Sequence, residues 1–120
     1  MAVLDVKHEE TASLLEELPG EGHLCVTGNA GVEEDVRSFA EKVLECFGCV
    51  DVLVNNACIT RRGILSGCSF EEFNEVLRVG VSAPYLLSLL FRDHFSRGAS
   101  IVNIASTRAS MSRKDTESYS

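Results

Sequence analysis

The sequence lacks the features of several large classes of protein. Its 120 residues contain 11 Lys and Arg against 18 Asp and Glu, which gives a net charge of −7. An acidic chain is a poor partner for nucleic acid or for an anionic membrane surface, because both are themselves negatively charged. No segment reaches the roughly 18 apolar residues that a membrane span needs. The first ten residues also lack the basic-then-apolar pattern of a secretory signal, so we expect a cytoplasmic protein without nucleic-acid or membrane partners.

The cysteines of this sequence do not indicate a disulfide framework. There are five of them, an odd number, which indicates reduced thiols. Cys46 and Cys49 form a C-x-x-C pair, a spacing that occurs in metal and redox sites. Nine residues separate Cys58 from Cys68, however, which is unlike the tight second pair of a zinc site. We therefore predict no metal, and favour one cysteine at a helix end with the next in the following turn.

Apolar strand patterns alternate with helical patterns along the chain. Strands are predicted at 2–6, 23–27, 50–56 and 99–105, and helices at 7–18, 33–47 and 70–95. The consecutive apolar residues 52–54 are typical of a parallel strand that is covered on both faces. Such alternation predicts right-handed crossovers and a three-layer α/β fold with a parallel sheet.

The helix ends carry recognisable signals. Gly48 fits the C-terminal end of the second helix. Ser69 and Glu72 have the spacing of a capping box at the start of the third helix. Pro84 lies inside that long helix and predicts a bend or a local irregularity. Arg97-Gly98 is interpreted as its end.

Polar residues follow the strands at the edge where ligands bind in open parallel sheets. Asn55 and Asn56 end the third strand, and Ser106 follows the fourth. Tyr119, thirteen residues later, could act as a general acid beside a serine that holds a substrate oxygen, but a serine-rich loop with one tyrosine is usually only a loop. Asp5 is either a surface residue or a ligand for a ribose hydroxyl, and both interpretations stay open.

The loop Thr27-Gly28-Asn29-Ala30-Gly31 has the position of a phosphate-binding glycine loop, between a strand and a helix. It lacks the full G-x-G-x-x-G spacing. The carboxylates of residues 33–35 would also stand where a phosphate should bind. We therefore do not interpret it as a phosphate site.

Three stretches together resemble the short-chain dehydrogenase/reductase family. They are Asp51-Val52-Leu53-Val54-Asn55-Asn56-Ala57, Gly98-Ala99-Ser100-Ile101-Val102-Asn103-Ile104-Ala105-Ser106 and Glu117-Ser118-Tyr119-Ser120. The family has Asn-Asn-Ala-Gly after strand four, a serine after strand five, and Tyr-x-x-x-Lys thirteen residues beyond that serine. The resemblance covers essentially the whole chain and implies a Rossmann-type sheet.

The resemblance implies a set of cofactor contacts. Asp5 would lie beside the adenosine ribose and favour NAD over NADP. Asn29 and Ala30 would lie by the adenine, where the family has Asp-Val. Asn56 and Ala57 would line the cofactor at strand four.

It also implies the catalytic residues. Ser106 would orient the substrate carbonyl or hydroxyl, and Tyr119 would exchange its proton. Cys58 replaces the glycine of the strand-four motif, and Gly80 replaces an asparagine that supports the proton relay at a helix irregularity.

By the same resemblance the Rossmann-type sheet is incomplete, and residues 1–120 are a partial NAD(P)-binding domain. Strand one with its glycine-rich loop would lie upstream of Met1, and the catalytic lysine beyond Ser120. In the strand order 3-2-1-4-5, strands two and four would then face a gap of roughly 9–10 Å, about two strand spacings. The gap would stay open, close by a new pairing, or prevent proper folding.

The implied activity is NAD(P)-dependent hydride transfer to or from a small secondary alcohol or ketone. The alternative is a catalytically inactive truncated chain, or an association module that binds no cofactor. We expect the isolated 120-residue chain to be inactive, and the intact family member to form a homo-oligomer.

Overall fold

Strands and helices alternate along the whole chain in the computed structural model, which describes residues 1–120. The strands are β1 (Ala2–Asp5), β2 (Leu24–Thr27), β3 (Val50–Asn55) and β4 (Phe95–Asn103). The helices are α1 (His8–Glu17), α2 (Glu33–Phe47), α3 (Phe70–Leu77) and α4 (Ala83–Phe91). The predicted α/β alternation is confirmed. None of the helices combines the length and the apolar character that crossing a membrane requires.

The strands form two parallel pairs. β1 pairs with β2, with Asp5 opposite Thr27, and β3 pairs with β4, with Asn55 opposite Asn103. No ladder joins the pairs, so the single predicted sheet is present as two two-stranded sheets. In the family's strand order 3-2-1-4-5, β1 and β2 correspond to strands two and three, and β3 and β4 correspond to strands four and five. Strand one would lie between β1 and β3. The predicted gap between β1 and β3 is therefore left unpaired, and no new pairing closes it.

One apolar core bridges the two strand pairs. Its fully buried members come from β2, α2, β3 and α4. They are Val26, Val36, Phe39, Ala40, Val43, Val50, Leu53, Ala83, Leu87 and Phe91. The stripe predicted on α2 supplies four of these residues. Helices α2 and α4 therefore form one layer that covers a single face of both pairs.

The prediction that β3 is covered on both faces is wrong for this chain. Leu53 points into the core and is 7% exposed. Val52 and Val54 are 56% and 55% exposed. Successive side chains of a strand point to opposite faces, and helices α2 and α4 cover only the face of Leu53.

The long helix predicted at 70–95 is interrupted where Pro84 indicated. A five-residue π-turn, Arg78–Ser82, separates α3 from α4. Pro84 has no N–H to donate to the carbonyl of Gly80 four residues earlier. The Ala83 N–H instead donates to the Arg78 carbonyl, five residues back. The predicted irregularity is confirmed, and Gly80 lies at its centre.

The boundary between this helix and β4 was predicted wrongly. Helix α4 ends at Phe91 and β4 begins at Phe95, whereas the sequence had suggested a helix to 95 and a strand from 99. Gly98 has a φ of +87°, which suits glycine, and it lies where the β3–β4 register shifts. The glycine interpreted as a helix stop is thus part of an irregular strand.

Candidate active site

A hydrogen bond between two asparagine side chains joins the carboxyl ends of β3 and β4. The Asn55 Nδ2 donates to Asn103 Oδ1 at 2.8 Å. The Ile104 N–H donates to the Asn55 carbonyl at 2.9 Å, which continues the pairing one residue past β4. Asn56 and Ala57 follow directly and are exposed. The structure therefore presents both residues at the edge where parallel sheets bind ligands.

Ser106 lies just beyond this edge. Its backbone is extended, and its Oγ accepts a hydrogen bond from the Arg108 N–H at 3.2 Å, which starts the short turn Thr107–Ala109. Tyr119 is half-buried, and its N–H donates to the Thr116 carbonyl at 2.9 Å. No hydrogen bond joins the Ser106 Oγ to the Tyr119 hydroxyl. The structure therefore links the two predicted catalytic residues by no hydrogen bond, and their pairing stays a prediction.

Asp5 lies at the matching end of the other strand pair. It is exposed, and its Oδ1 accepts the Lys7 N–H at 2.9 Å. The Asp5 carbonyl accepts the Gly28 N–H at 2.9 Å, which brings the loop after β2 beside it. The Lys7 ammonium is paired with Glu10 at 2.5 Å, and this pairing raises the pKa of Lys7. The free charge at this edge is therefore the Asp5 carboxylate.

In the loop after β2, the backbone N–H groups of Asn29 and Gly31 donate to side chains of this chain. The Asn29 N–H donates to Asp35 Oδ2, and the Gly31 N–H donates to Asn29 Oδ1, both at 2.8 Å. Ala30 packs against the apolar core. Gly28 lies in a tight place, because a Cβ there would approach Leu4 Cδ1 to 3.0 Å. With the N–H groups already bonded, the loop is not arranged for phosphate, as its sequence indicated.

Sequence reasoning missed a polar cleft between the β3–α3 loop and the C-terminal segment. The cleft measures about 690 Å³ and has no apolar lining. Its lining residues are Thr60, Arg61, Arg62, Ser66, Glu72 and Asp115. The adjacent arginines were visible in the sequence, but no local pattern links them to Asp115, more than fifty residues away.

Two contacts define the charge of this cleft. The Arg61 guanidinium pairs with Glu75, with Nε and an Nη within 2.9 Å of Oε2. Glu72 forms the predicted capping box with Ser69, and the Ser69 N–H reaches its Oε2 at 2.8 Å. Hydrogen bonds from Ser69 hold the pKa of Glu72 below its usual range, and Arg61 and Arg62 add to the effect.

Gly63 anchors the C-terminal segment to the loop. It is buried, and a Cβ there would collide with the backbone of Asp115 and the carboxylate of Glu117. Asp115 itself has a φ of +62°, in the left-handed region that non-glycine residues rarely adopt. The segment that carries Tyr119 is therefore positioned by close packing on a glycine.

Parallel strands separated by helices, with polar side chains at their carboxyl ends, define an α/β protein of the Rossmann type. Residues 1–120 match the model of the family described as short chain dehydrogenase. The chain belongs to the short-chain dehydrogenase/reductase family of oxidoreductases.

Individual relatives agree with this assignment. An uncharacterized oxidoreductase of Thermotoga maritima is 38% identical over 117 residues, which cover 93% of this chain and 46% of that protein. An apo SCOR enzyme from Clostridium thermocellum is 39% identical with a TM-score of 0.89, over 98% of this chain and 48% of that one. A blue fluorescent protein from a metagenomic library, solved with NADPH, is 26% identical with a TM-score of 0.87, over 98% of this chain and 50% of that one. The chain thus spans about half the length of the relatives it matches.

Proposed function

We propose that this chain carries the central part of an enzyme that transfers hydride between a nicotinamide cofactor and a small secondary alcohol or ketone. The supporting observation is the register of β3 with β4, which presents Asn56, Ala57 and Ser106 at one edge of the sheet. In this proposal Ser106 holds the substrate oxygen, and Tyr119 exchanges a proton with it while hydride moves to or from the adjacent carbon. The cofactor supplies the hydride chemistry.

NAD is the proposed cofactor because of the charge at the end of β1. An exposed carboxylate at Asp5 accepts hydrogen bonds from a ribose 2′-hydroxyl and repels a 2′-phosphate. Lys7, two residues further on, is paired with Glu10, which offsets the charge that it would present to that phosphate. Asn29 and Ala30 would lie by the adenine in this arrangement. The NADPH-bound relative shows the other cofactor in its own site, so the preference needs its own test.

Two departures from the family pattern bear on the chemistry. Cys58 is exposed beside Ala57, where it adds a side chain close to the proposed cofactor edge. At Gly80 an added Cβ would meet no atom within 4 Å, so the π-turn leaves room for a longer side chain. Neither departure disrupts the strand ends that carry the proposed site.

A chimera provides a direct test of these roles. Residues 1–120 replace the aligned segment of the Thermotoga maritima oxidoreductase, which supplies the rest of the domain. We expect saturable NADH binding, followed by nicotinamide fluorescence, and reduction of a small ketone. Tyr119→Phe should lower kcat by about 100-fold or more, since general acid catalysis contributes that much. Tyr85→Phe, at the chain's other tyrosine, is the matched control and should leave kcat unchanged.

Cofactor preference and the isolated chain are tested separately. In the chimera Asp5→Asn should reduce the ratio of kcat/KM for NADH over NADPH. An unchanged ratio would contradict the role given to Asp5. The 120-residue chain alone should show no saturable NADH binding, because β1 and β3 leave a gap where the two strand pairs should meet. Micromolar binding by the isolated chain would contradict that expectation.

A second candidate function, association with another subunit, is favoured by the surface of α4. Tyr85 and Leu89 lie one helical turn apart and are 72% and 47% exposed. Apolar side chains at this spacing form a stripe that another subunit can cover. We propose a homo-oligomer built on this stripe. Light scattering of the chimera tests it, and a monomer at all concentrations would rule it out.

A further inference from the structure

Tyr119 lies on a compact turn that has its own hydrogen bonds. The N–H groups of Tyr119 and Ser120 both donate to the Thr116 carbonyl, at 2.9 and 2.8 Å. The Thr116 Oγ1 and the Ser120 Oγ lie 2.8 Å apart, which closes the turn. No helix or strand connects this turn to the short turn that follows Ser106. Local structure therefore fixes the shape of the Tyr119 turn but not its position relative to Ser106.

The Tyr119 turn is positioned by tertiary contact with the loop between β3 and α3. A Cβ built on Gly63 would lie 2.2 Å from Glu117 Oε2, 2.4 Å from the Asp115 Cα and 2.9 Å from Asp115 Oδ1. The Asp115 Oδ1 and the Ser118 Oγ are both buried, so the chain packs closely on both sides of Glu117. The absence of a side chain at Gly63 is therefore what lets the turn lie where it does.

The loop that carries Gly63 is itself held in one place. The Gly63 carbonyl accepts the Ser66 N–H at 3.0 Å and the Cys68 N–H at 3.1 Å. On the other side of Gly63, the Arg61 guanidinium pairs with Glu75 of α3, with its Nε at 2.9 Å and an Nη at 2.8 Å from Oε2. The loop therefore relates the position of α3 to the turn that packs on Gly63.

A small displacement at this contact should have a large effect on the proposed proton exchange. Ordinary van der Waals contact begins at about 3.4 Å, so a methyl group on Gly63 requires the Asp115 backbone to move by about 1 Å. A misplacement of about 1 Å that originates away from the chemistry can lower a rate by about 100-fold. Proton exchange also requires the Tyr119 hydroxyl to lie within hydrogen-bond reach of the substrate oxygen.

We propose that Gly63 is a positioning residue for Tyr119, and that the Arg61–Glu75 ion pair supports it from α3. The role given to Gly63 rests on the proposed function, in which Tyr119 exchanges a proton with a substrate oxygen held by Ser106. Gly63 has no side chain that could react, so its contribution passes entirely through the position of Tyr119. That contribution should therefore vanish when the Tyr119 hydroxyl is absent.

A double-mutant cycle in the chimera tests this dependence. Gly63→Ala should lower kcat by about 10- to 100-fold and leave the dissociation constant of NADH unchanged. In the Tyr119→Phe background the same substitution should change kcat by less than about twofold, because the hydroxyl that it misplaces is already absent. Equal losses in the two backgrounds would indicate a general structural effect and overturn the proposal. An unchanged kcat for Gly63→Ala would overturn it as well.

Val43→Ala is the matched control for a loss of stability. Val43 is 6% exposed and belongs to the core cluster on α2. Its truncation leaves a cavity and destabilises the fold, as overpacking at Gly63 does. The kcat of the folded Val43→Ala chimera should nevertheless equal that of the parent. A loss of kcat as large as that of Gly63→Ala would show that lost stability alone explains both, and would overturn the proposal.

Glu75→Gln is a second variant, which leaves the packing on Gly63 intact. It removes the ion pair with Arg61 and should lower kcat by about twofold to fivefold, the range expected of a partly exposed pair. This loss should also disappear in the Tyr119→Phe background. Asp93→Asn breaks the exposed pair with Arg92, also at 2.8 Å, before the amino end of β4, and should have no effect. If Gly63→Ala fails to fold, a loss for Glu75→Gln that persists in the Tyr119→Phe background, or no loss, overturns the proposal.

The same cycle separates the role of Gly63 from the proposed function. A chimera whose kcat does not depend on Tyr119 would overturn the proposed proton exchange and the role of Gly63 together. A kcat that depends on Tyr119 but not on Gly63 would overturn only the role of Gly63, and the proposed function would stand.

Discussion

Substitutions at two adjacent residues of β3 measure how the strand is buried on each side. Leu53 is 7% exposed and lies in the core against α2 and α4, whereas Val54 is 55% exposed on the opposite face. Leu53→Ala removes three buried carbon atoms and leaves a cavity. It should reduce the free energy of unfolding by about 2–5 kcal/mol. Val54→Thr keeps the shape and the β-branching of the side chain at an exposed position, and should cost about 0.5 kcal/mol or less.

Urea unfolding of the 120-residue chain, followed by far-UV circular dichroism, provides the measurement. The two variants should shift the midpoint by very different amounts at an unchanged slope. The exposed Val52→Thr serves as a second control on the outer face. If Val54→Thr costs as much as Leu53→Ala, the outer face is covered, and light scattering would then show whether a second copy covers it. That result would refute the one-sided packing described for β3.

Four further predictions concern the loop and the long helix. Gly63→Ala should destabilise the chain by about 1–3 kcal/mol through overpacking. It should also release the segment 115–117, with faster tryptic cleavage after the preceding Arg113 and Lys114, and unchanged cleavage would contradict the contact. The lowered pKa of Glu72 means that its stabilisation is present above the ordinary carboxyl pKa and is lost as the pH falls through the lower folded value. Unfolding midpoints of the wild type and Glu72→Gln should therefore differ at neutral pH and converge once the pH lies below the lowered pKa of Glu72. Ser69→Ala should cost about 1 kcal/mol at neutral pH, and an unaltered midpoint would deny the cap. Pro84→Ala restores an N–H and should turn the π-turn into regular helix, visible as slower amide exchange; unchanged exchange would show that another cause maintains it.

Local chemistry explains why the elements could be predicted. The apolar stripe of α2 and the glycine at its end are visible within one short window, and Gly48 does adopt the left-handed conformation, with a φ of +74°. The Ser69–Glu72 pair satisfies its own backbone groups, so its spacing alone is informative. Pro84 removes one particular hydrogen bond, and the irregularity follows at the residues that lose it.

The features that could not be predicted depend on distant parts of the chain. The exposure of Val52 and Val54 depends on which helices cover β3, and an apolar run does not encode that. A glycine such as Gly98 occurs both at the end of a helix and at an irregularity within a strand. Only the pairing of its segment with β3 distinguishes these two cases. The unmet acceptor of Asp115 depends on packing against Gly63 across the fold, which no spacing rule describes.

The shared helix layer determines how the two halves of the proposed site are related. No strand hydrogen bonds connect β1–β2 to β3–β4, yet Val26 of β2 and Leu53 of β3 belong to one apolar cluster. The distance from Asp5 to Ser106 is therefore set by side chains of α2 and α4 that bridge the pairs. A cavity at Phe39 should loosen this relation and weaken NADH binding by the chimera, because cofactor binding needs both edges at once. Val54→Thr, on the exposed face of β3, is the matched control and should leave NADH binding by the chimera unchanged. Phe39→Leu and Val54→Thr, each assayed in the chimera by NADH titration, test this relation, and equal affinities for the two variants would argue against it.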